Sequence, residues 1–263
     1  MALRGGEGKY IYCAIKSREP RSFGPIGVGN RRDEVNTINY QDLAMVVSDS
    51  PIIIYDPDRK NAIQHERVIS RVMEEYTVIP ASFGLIFKTE EDVYELLKEI
   101  YTEAKEALAK LDNKIELGLK VFWKKECFAQ EIEKGHSGIQ QLKREVARQG
   151  RNAKRDVYSK KFQLGQLVEE VAARKRSAYI KEIYNGLQRY ATASTTNDLV
   201  LTRMVLNAAF LVDKSRVKEF DEQVSRLYTK HHQVLDFKYT GPWPAYNFVK
   251  VLLQLEGIGE VRR

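Results

Sequence analysis

The pattern of hydrophobic and polar positions predicts three short strands in the first part of the chain. They lie at residues 9–15, 34–38 and 43–47, and short runs of this kind between turn signals are typical of strands. Residues 39–42 predict a hairpin turn between the second and third strands. Residues 17–32 contain two prolines and three glycines, so we expect a mobile connection there.

Helical spacing of apolar side chains follows in the same part of the chain. Asp58 is a suitable N-cap for a helix that ends near Tyr76. Thr89 and the three acidic residues after it suit the positive N-terminus of a second helix. These elements predict an N-terminal α+β domain, residues 1–113, made of a small sheet plus helices.

The second part of the chain begins with strict alternation from Ile115 to Trp123, which predicts a long strand. The elements predicted after it are a basic helical segment at 128–190, a short strand at 191–194, a strand at 199–212, a helix at 215–230 and a strand at 234–239. This is the ferredoxin-like order β-α-β-β-α-β with a first helix that is greatly lengthened. We therefore predict a modified ferredoxin-like C-terminal domain, residues 114–263, that includes an apolar tail at 241–263.

A distinctive run of residues begins where the last predicted strand ends. Gly241 can adopt a positive φ, whereas Pro242 and Pro244 fix φ at about −65° and lack a backbone donor. We therefore expect the strand to stop at Gly241 and the chain to turn, with Trp243 held in a narrow set of directions. Residues 248–255 are too apolar to stay in water, so they must pack on this domain or on another chain.

The composition is that of a globular protein, and the net positive charge of the chain is concentrated in one segment. The 263 residues are 43% hydrophobic and have a net charge of +7. Residues 134–189 contain fourteen Lys or Arg and five acidic residues, so this segment carries +9 and the rest of the chain −2. Such a field attracts anionic partners, whether nucleic acid, an acidic protein surface or anionic lipid, although a solvated helical face is the simpler interpretation.

The sequence contains no feature that predicts secretion or membrane insertion. It has neither a run of eighteen apolar residues nor a signal-peptide pattern, so we expect a cytoplasmic protein. Cys13 and Cys127 lie in strand-like apolar segments and are better interpreted as small buried side chains than as a disulfide.

Motifs that could indicate enzymatic chemistry lack the neighbouring residues and elements that such chemistry requires. The glycine-rich residues 24–29 follow no strand directly and open no helix, so they do not predict a phosphate-binding loop. The pair His65-Glu66 could begin a zinc-binding helix, but Ile69 stands where the second histidine is required. Neither cysteine lies in a local nucleophile signature. We therefore predict no catalytic residues, no metal site and no cofactor.

Five blocks of sequence resemble the GvpL/GvpF family of gas vesicle proteins. They are His65–Val68, Val78–Phe87, Glu116–Val121, Leu206–Val212 with Phe220, and Gly241–Phe248. The chain departs from the family pattern at Ala245, where a third proline is common. The resemblance implies a non-catalytic assembly or minor structural protein. Its partners would be the small hydrophobic shell protein, contacted during nucleation or growth of the gas vesicle, and other gas vesicle accessory proteins.

A helper of an aggregation-prone shell subunit needs an apolar patch rimmed by charge. The candidate partner contacts are therefore Trp243, Tyr246, Phe248, Arg144, Arg148, Arg151 and Arg155. The candidate structural-motif residues are His65, Glu66, Phe83, Gly84, Gly241, Pro242 and Pro244. For Trp243 the alternative is a buried lid over its own domain. The alternative function is a basic module at 143–161 that binds nucleic acid or another anionic surface, although the aromatic motif of RRM domains is absent.

Overall fold

The N-terminal unit is built around β1 (Glu7–Lys16), which is buried along most of its length. The computed structural model describes residues 6–134, 136–148 and 154–249, without the side chains of 133–134 and 154–157. The other elements of this unit are β2 (Ser22–Gly24), β3 (Val35–Tyr40), β4 (Leu43–Pro51), α1 (Arg59–Met73), β5 (Val78–Pro80), β6 (Ile86–Phe87) and α2 (Glu90–Leu111). The sheet order is β2-β3-β4-β1-β5, and β6 also pairs with β1.

Two helices pack on this sheet because each has one apolar side. Val68, Ile69 and Val72 of α1 join the buried core that contains the aromatic side chains of β1. The apolar side of α2, which includes the buried Leu97, packs on β1, β3 and β4. Burial on both faces explains why β1 is almost continuously apolar instead of strictly alternating.

Both helices begin at the predicted residues. The Asp58 carboxylate accepts a hydrogen bond from the Asn61 N–H at 2.7 Å. Thr89 and Asp92 form a capping box, in which each side chain accepts from the other residue's backbone N–H. These caps satisfy amide groups that have no partner inside the helix.

The connection at residues 17–32 is anchored, contrary to the predicted mobile segment. The Val28 N–H donates to the Tyr12 hydroxyl at 2.8 Å. The backbone of Gly29 exchanges two hydrogen bonds with the side-chain amide of Gln64, at 3.0 and 3.3 Å. Gly29 has a φ of 88°, a left-handed conformation that favours glycine.

The C-terminal unit has the predicted order of elements. They are β7 (Lys114–Trp123), α3 (Lys125–Phe128), a π-helical turn (Ala129–Lys134), α4 (Ser137–Arg148), α5 (Lys154–Gln188), β8 (Ala193–Thr196), β9 (Met204–Asp213), a 3-10 turn (Lys214–Arg216), α6 (Val217–His231) and β10 (Leu235–Trp243). The sheet order is β10-β7-β9-β8, which is the ferredoxin-like arrangement with the first and third strands in the centre. The predicted α+β class and ferredoxin-like layout are therefore confirmed.

Several strand boundaries and one cysteine differ from the predictions. β2 (Ser22–Gly24) lies within the predicted connection, and the short strand predicted at 191–194 is β8 at Ala193–Thr196. Residues 199–203 form a loop before β9, whereas the predicted strand includes them. β10 continues through Gly241 and Pro242 to Trp243, so the predicted stop at Gly241 is wrong. Because β10 lies at the edge of the sheet, the missing N–H of a proline can face away from the ladder. Cys127 lies on α3 and not in a strand.

The chain divides into two compact units, residues 1–116 with 242–263 and residues 117–241. The segment that begins at Pro242 therefore belongs to the N-terminal unit, whereas the prediction assigns residues 241–263 to the C-terminal domain. Residues 250–263, the larger part of the predicted apolar tail, lie outside the described residues. Among the described helices, none has a segment both long and apolar enough to cross a membrane.

Candidate functional site

The segment after β10 is attached to the N-terminal unit through two glutamates. The Tyr246 hydroxyl donates to Glu66 Oε2 at 2.9 Å. The Asn247 backbone N–H donates to Glu116 Oε2 at 2.8 Å, and Asn247 Nδ2 donates to Glu116 Oε1 at 2.6 Å. Glu66, Glu116, Tyr246 and Asn247 are termed the carboxylate clasp below. Ala245 on this segment is buried as well.

Burial and hydrogen bonding act in opposite directions on the glutamates of the carboxylate clasp. Burial raises the pKa of Glu116 above its usual value, and the two donors of Asn247 offset part of that shift. Burial likewise raises the pKa of Glu66, while the Tyr246 hydroxyl lowers it. Burial and the nearby Glu66 carboxylate raise the pKa of Tyr246, so its hydroxyl stays protonated and can donate.

A buried histidine lies next to Glu66 on α1. The Gly84 N–H donates to the Tyr10 hydroxyl at 2.9 Å, which leaves the hydroxyl proton to donate to His65 Nδ1 at 3.1 Å. Burial lowers the pKa of His65 to about 4, and the neighbouring backbone of Ala81 acts weakly in the opposite direction. His65 is therefore neutral at pH 7, with Nδ1 as an acceptor.

The structure brings together several residues that the resemblance selects from distant parts of the chain. The ring centroids of His65 and Phe83 are 5.7 Å apart, and Gly84 follows with a φ of 83°. Tyr246 reaches Glu66, the neighbour of His65, from the other end of the sequence. These three blocks of sequence therefore meet in one folded region of the N-terminal unit.

Three residues of this region are not among the sequence candidates. Tyr10 lies on β1 and links Gly84 to His65, but an aromatic residue in a strand carries no specific signal. Glu116 is only 4% exposed, and an acidic residue at the start of the most regular apolar strand is a usable signal for a buried partner. Asn247 could then have been identified as a donor, because an amide side chain offers two N–H groups.

The predicted aromatic contacts differ in their exposure. Trp243 is 36% exposed, whereas the alternative prediction is a buried lid over its own domain. The Tyr246 ring is exposed to a similar extent, but its hydroxyl is directed inward to Glu66. Phe248 is half-buried. Trp243 is therefore the candidate whose side chain is most available to a partner.

The predicted basic contacts lie on a helical hairpin of the C-terminal unit. Arg144 and Arg148 are exposed on α4, whereas Arg151 and the side chain of Arg155 lie outside the described residues. The Glu145 carboxylate on α4 and the Lys160 ammonium on α5 are 3.2 Å apart, so the hairpin neutralises part of its own charge. None of the described contacts on this hairpin favours nucleic acid over an acidic protein surface.

The hydrogen bonds of the carboxylate clasp hold residues 246 and 247 against Glu66 and Glu116. Three of its four carboxylate oxygens accept hydrogen bonds from Tyr246 and Asn247, whereas Glu66 Oε1 is buried without a partner among the described residues. In the described ranges, no three His, Cys, Asp or Glu residues are grouped closely enough to hold a metal ion. The hydrogen bonds of the clasp fix the chain three and four residues beyond Trp243.

Residues 8–250 match the family described as Gas vesicle synthesis protein GvpL/GvpF. The chain belongs to this family. The resemblance identified from the five sequence blocks is thus confirmed, and it extends beyond those blocks to nearly the whole chain.

Several relatives are similar over most of their length. Gas vesicle protein F of Microcystis aeruginosa (strain PCC 7806) is 27% identical over 249 residues, which cover 93% of this chain and 99% of the relative. Gas vesicle protein F1 of Halobacterium salinarum is 27% identical over 255 residues, covering 95% and 96%. Gas vesicle protein L of Streptomyces sp. (strain CB03234) is 26% identical over 194 residues, covering 71% and 68%.

Two crystal structures of gas vesicle protein GvpF have a similar fold. The protein from Microcystis aeruginosa has a TM-score of 0.74 and 24% identity, with 92% of this chain and 98% of that chain covered. The protein from Anabaena sp. PCC7120 has a TM-score of 0.73 and 23% identity, with the same coverage. Both units of this chain therefore follow an architecture that is found in the family.

Proposed function

We propose that this protein is a non-catalytic, cytoplasmic assembly or minor structural protein of the gas vesicle. It binds the small hydrophobic shell protein during nucleation or growth of the vesicle. Membership of the GvpL/GvpF family supports the general role in gas vesicle formation. The more specific role, recognition of the shell protein, requires an apolar surface that is already ordered before the partner arrives.

The main support for this proposal is the position of Trp243. This residue is 36% exposed, and it is the last residue of β10, directly before the buried Pro244. The carboxylate clasp fixes the chain only a few residues further on. A rigid, partly exposed tryptophan loses little conformational entropy on binding, which is why this residue is common in the centres of protein interfaces.

The basic hairpin of the C-terminal unit offers a separate candidate contact with vesicle components. Arg144 and Arg148 are exposed, and Arg151 and Arg155 belong to the same basic segment of the sequence. Charges at the rim of an interface mainly accelerate association and set the salt dependence. We therefore expect these arginines to contact acidic surface on a vesicle component, with Trp243 contributing more of the affinity.

A binding assay with purified shell protein tests the proposal. Trp243→Ala should weaken binding by at least tenfold, because truncation of a central interface aromatic costs on the order of 2 kcal/mol. Tyr228→Ala is the matched control, since Tyr228 is an exposed aromatic residue of α6. Full binding by the double variant Trp243→Ala, Phe248→Ala would exclude this patch as the interface.

A further inference from the structure

The four-stranded sheet of the C-terminal unit has two edges of very different character. The β10 edge carries Asp236, Lys238 and Pro242, and charges and prolines are the usual means by which an edge strand resists pairing with another chain. The β8 edge has the sequence Ala193-Ser194-Thr195-Thr196, without charge and without proline. The protein therefore protects one edge of this sheet and leaves the other able to pair.

The register of β8 shows which of its backbone groups are available. β8 is antiparallel to β9, with Ala193 opposite Leu211 and Thr195 opposite Ala209. Just beyond the strand, the Asn197 N–H donates to the Asn207 carbonyl at 2.7 Å. The odd-numbered residues of β8 therefore form the hydrogen bonds of the ladder.

Hydrogen bonding alternates along an antiparallel strand, so the N–H and C=O groups of Ser194 and Thr196 point away from β9. The sheet order ends at β8, and within the described part of the chain no further strand pairs with these groups. β8 thus presents two N–H donors and two C=O acceptors in the geometry of a strand edge.

An ordered apolar loop follows directly after this edge. Leu199, Val200 and Leu201 are 39%, 73% and 53% exposed, although their composition would suit a buried strand. Three consecutive exposed aliphatic residues are unusual on a soluble surface and typical of an interaction site.

Hydrogen bonds at the base of the loop fix its position. Asn207 Nδ2 donates to the Asp198 carbonyl at 2.9 Å, and the Met204 N–H donates to the Leu201 carbonyl at 2.8 Å. The buried Arg176 guanidinium donates to the Thr202 carbonyl at 3.1 Å. The three aliphatic side chains are therefore held in place before any partner binds, which reduces the entropy cost of binding.

We propose that the β8 edge and residues 199–201 form a docking site for an extended, uncharged, apolar segment of the shell protein. The segment adds to the sheet as a further strand beside β8, and its apolar side chains contact the loop. This inference rests on the proposed function for the identity of the partner. The occupant follows from the surface itself: the free backbone groups require a strand, and an edge without charge beside an aliphatic loop favours an uncharged segment.

Two substitutions at Thr196 separate backbone pairing from side-chain effects. Thr196→Pro removes an outward N–H while the ladder with β9 stays intact, and the extended backbone of a strand is compatible with proline at this position. Thr196→Val keeps the N–H and the β-branched shape. We expect Thr196→Pro to weaken binding of purified shell protein at least tenfold and Thr196→Val to bind as the wild type does.

A second pair of variants tests the loop without changing a strand. Val200→Lys should also weaken binding at least tenfold, because a charge is placed on the apolar contact. Ile54→Lys is the matched control, since Ile54 is 82% exposed in the N-terminal unit. The Val200 pair keeps the inference testable if circular dichroism shows that Thr196→Pro does not fold.

The outcomes distinguish this inference from the proposed function. If the wild type binds shell protein and both Thr196→Pro and Val200→Lys bind equally well, the β8 site is overturned while the proposed function stands. If the wild type itself does not bind, both are overturned. If light scattering instead shows a dimer that Thr196→Pro abolishes, the edge pairs with a second copy of this chain and the assignment to a shell segment is wrong.

Discussion

The carboxylate clasp and the β8 edge differ in whether their polar groups are hydrogen-bonded within the chain. In the N-terminal unit, Tyr246 and Asn247 donate hydrogen bonds to two largely buried glutamates. In the C-terminal unit, the outward backbone groups of Ser194 and Thr196 have no strand beside them among the described residues. The motif that is most distinctive in sequence thus completes internal structure, whereas an inconspicuous run of small residues presents a surface for pairing.

This difference predicts that substitutions in the clasp act on stability and that substitutions at the edge act on binding. The largest effect should come from Asn247→Ala, which removes a side-chain donor from a buried carboxylate. We expect a loss of about 3 kcal/mol in the free energy of unfolding, because hydrogen bonds to charged groups contribute about 1.5–3 kcal/mol and an unpaired buried acceptor adds a penalty. Chemical denaturation measures it.

A double-mutant cycle sharpens this first prediction. Glu116→Leu removes the carboxylate to which Asn247 donates. The double variant should therefore be more stable than the sum of the two single changes implies. If the changes in the free energy of unfolding are strictly additive, the hydrogen bonds between these two residues do not stabilise the protein.

The buried His65 predicts a pH dependence of similar size in the N-terminal unit. Its pKa is lowered from 6.5 to about 4 in the folded state, so protons bind preferentially to the unfolded chain. Its contribution is complete above about pH 6.5 and is lost as the pH falls towards 4, with a total of roughly 3 kcal/mol at 1.36 kcal/mol per pKa unit.

The measurement compares the free energy of unfolding of the wild type and His65→Gln at several pH values. The raised pKa values of Glu66 and Glu116 act in the opposite sense, since their burial penalty disappears when they are protonated. The difference between the two proteins isolates the histidine. A difference that does not change with pH would contradict a neutral, buried His65.

Tyr246→Phe should have a smaller effect. It removes the hydroxyl that donates to Glu66 but keeps the ring, and the pair is partly exposed to solvent. We expect a loss of about 1 kcal/mol in the free energy of unfolding, the usual value for one hydrogen bond. Tyr228→Phe, at an exposed ring of α6, serves as the control and should be nearly neutral.

The smallest effect on stability is expected at the β8 edge. Thr196→Val should change the free energy of unfolding by less than about 0.5 kcal/mol, because Thr196 is exposed and the substitution keeps its shape. A loss of more than 1 kcal/mol in chemical denaturation would mean that this position is part of the folded core, and the contrast between clasp and edge would not hold.

Much of the fold could be predicted from local chemistry. The caps at Asp58 and Thr89 and the alternation from Ile115 to Trp123 each specify an element through neighbouring residues, and all three are confirmed. The stop at Gly241 is wrong because the effect of a proline depends on whether its strand is central or at an edge. That distinction comes from the order of strands in the sheet.

The candidate site could be predicted only in part from the sequence. The blocks containing His65, Phe83 and Tyr246 could be selected by resemblance, but their meeting in one region depends on contacts between residues far apart in the chain. The loop at 199–201 could not be predicted because aliphatic residues next to a strand are ordinarily buried. Its exposure follows from the hydrogen bonds that end β8 and delay the start of β9.

Local spacing and runs of neighbouring residues are enough to predict the class of the fold, the caps of two helices, the order of the elements and the family. Contacts between distant residues, in contrast, place the segment from Pro242 with the N-terminal unit, bring Asn247 to Glu116 and leave β8 at the edge of its sheet. These features depend on which distant groups share a hydrogen bond or a sheet, and a polar group is satisfied or left available only after the whole chain has folded around it.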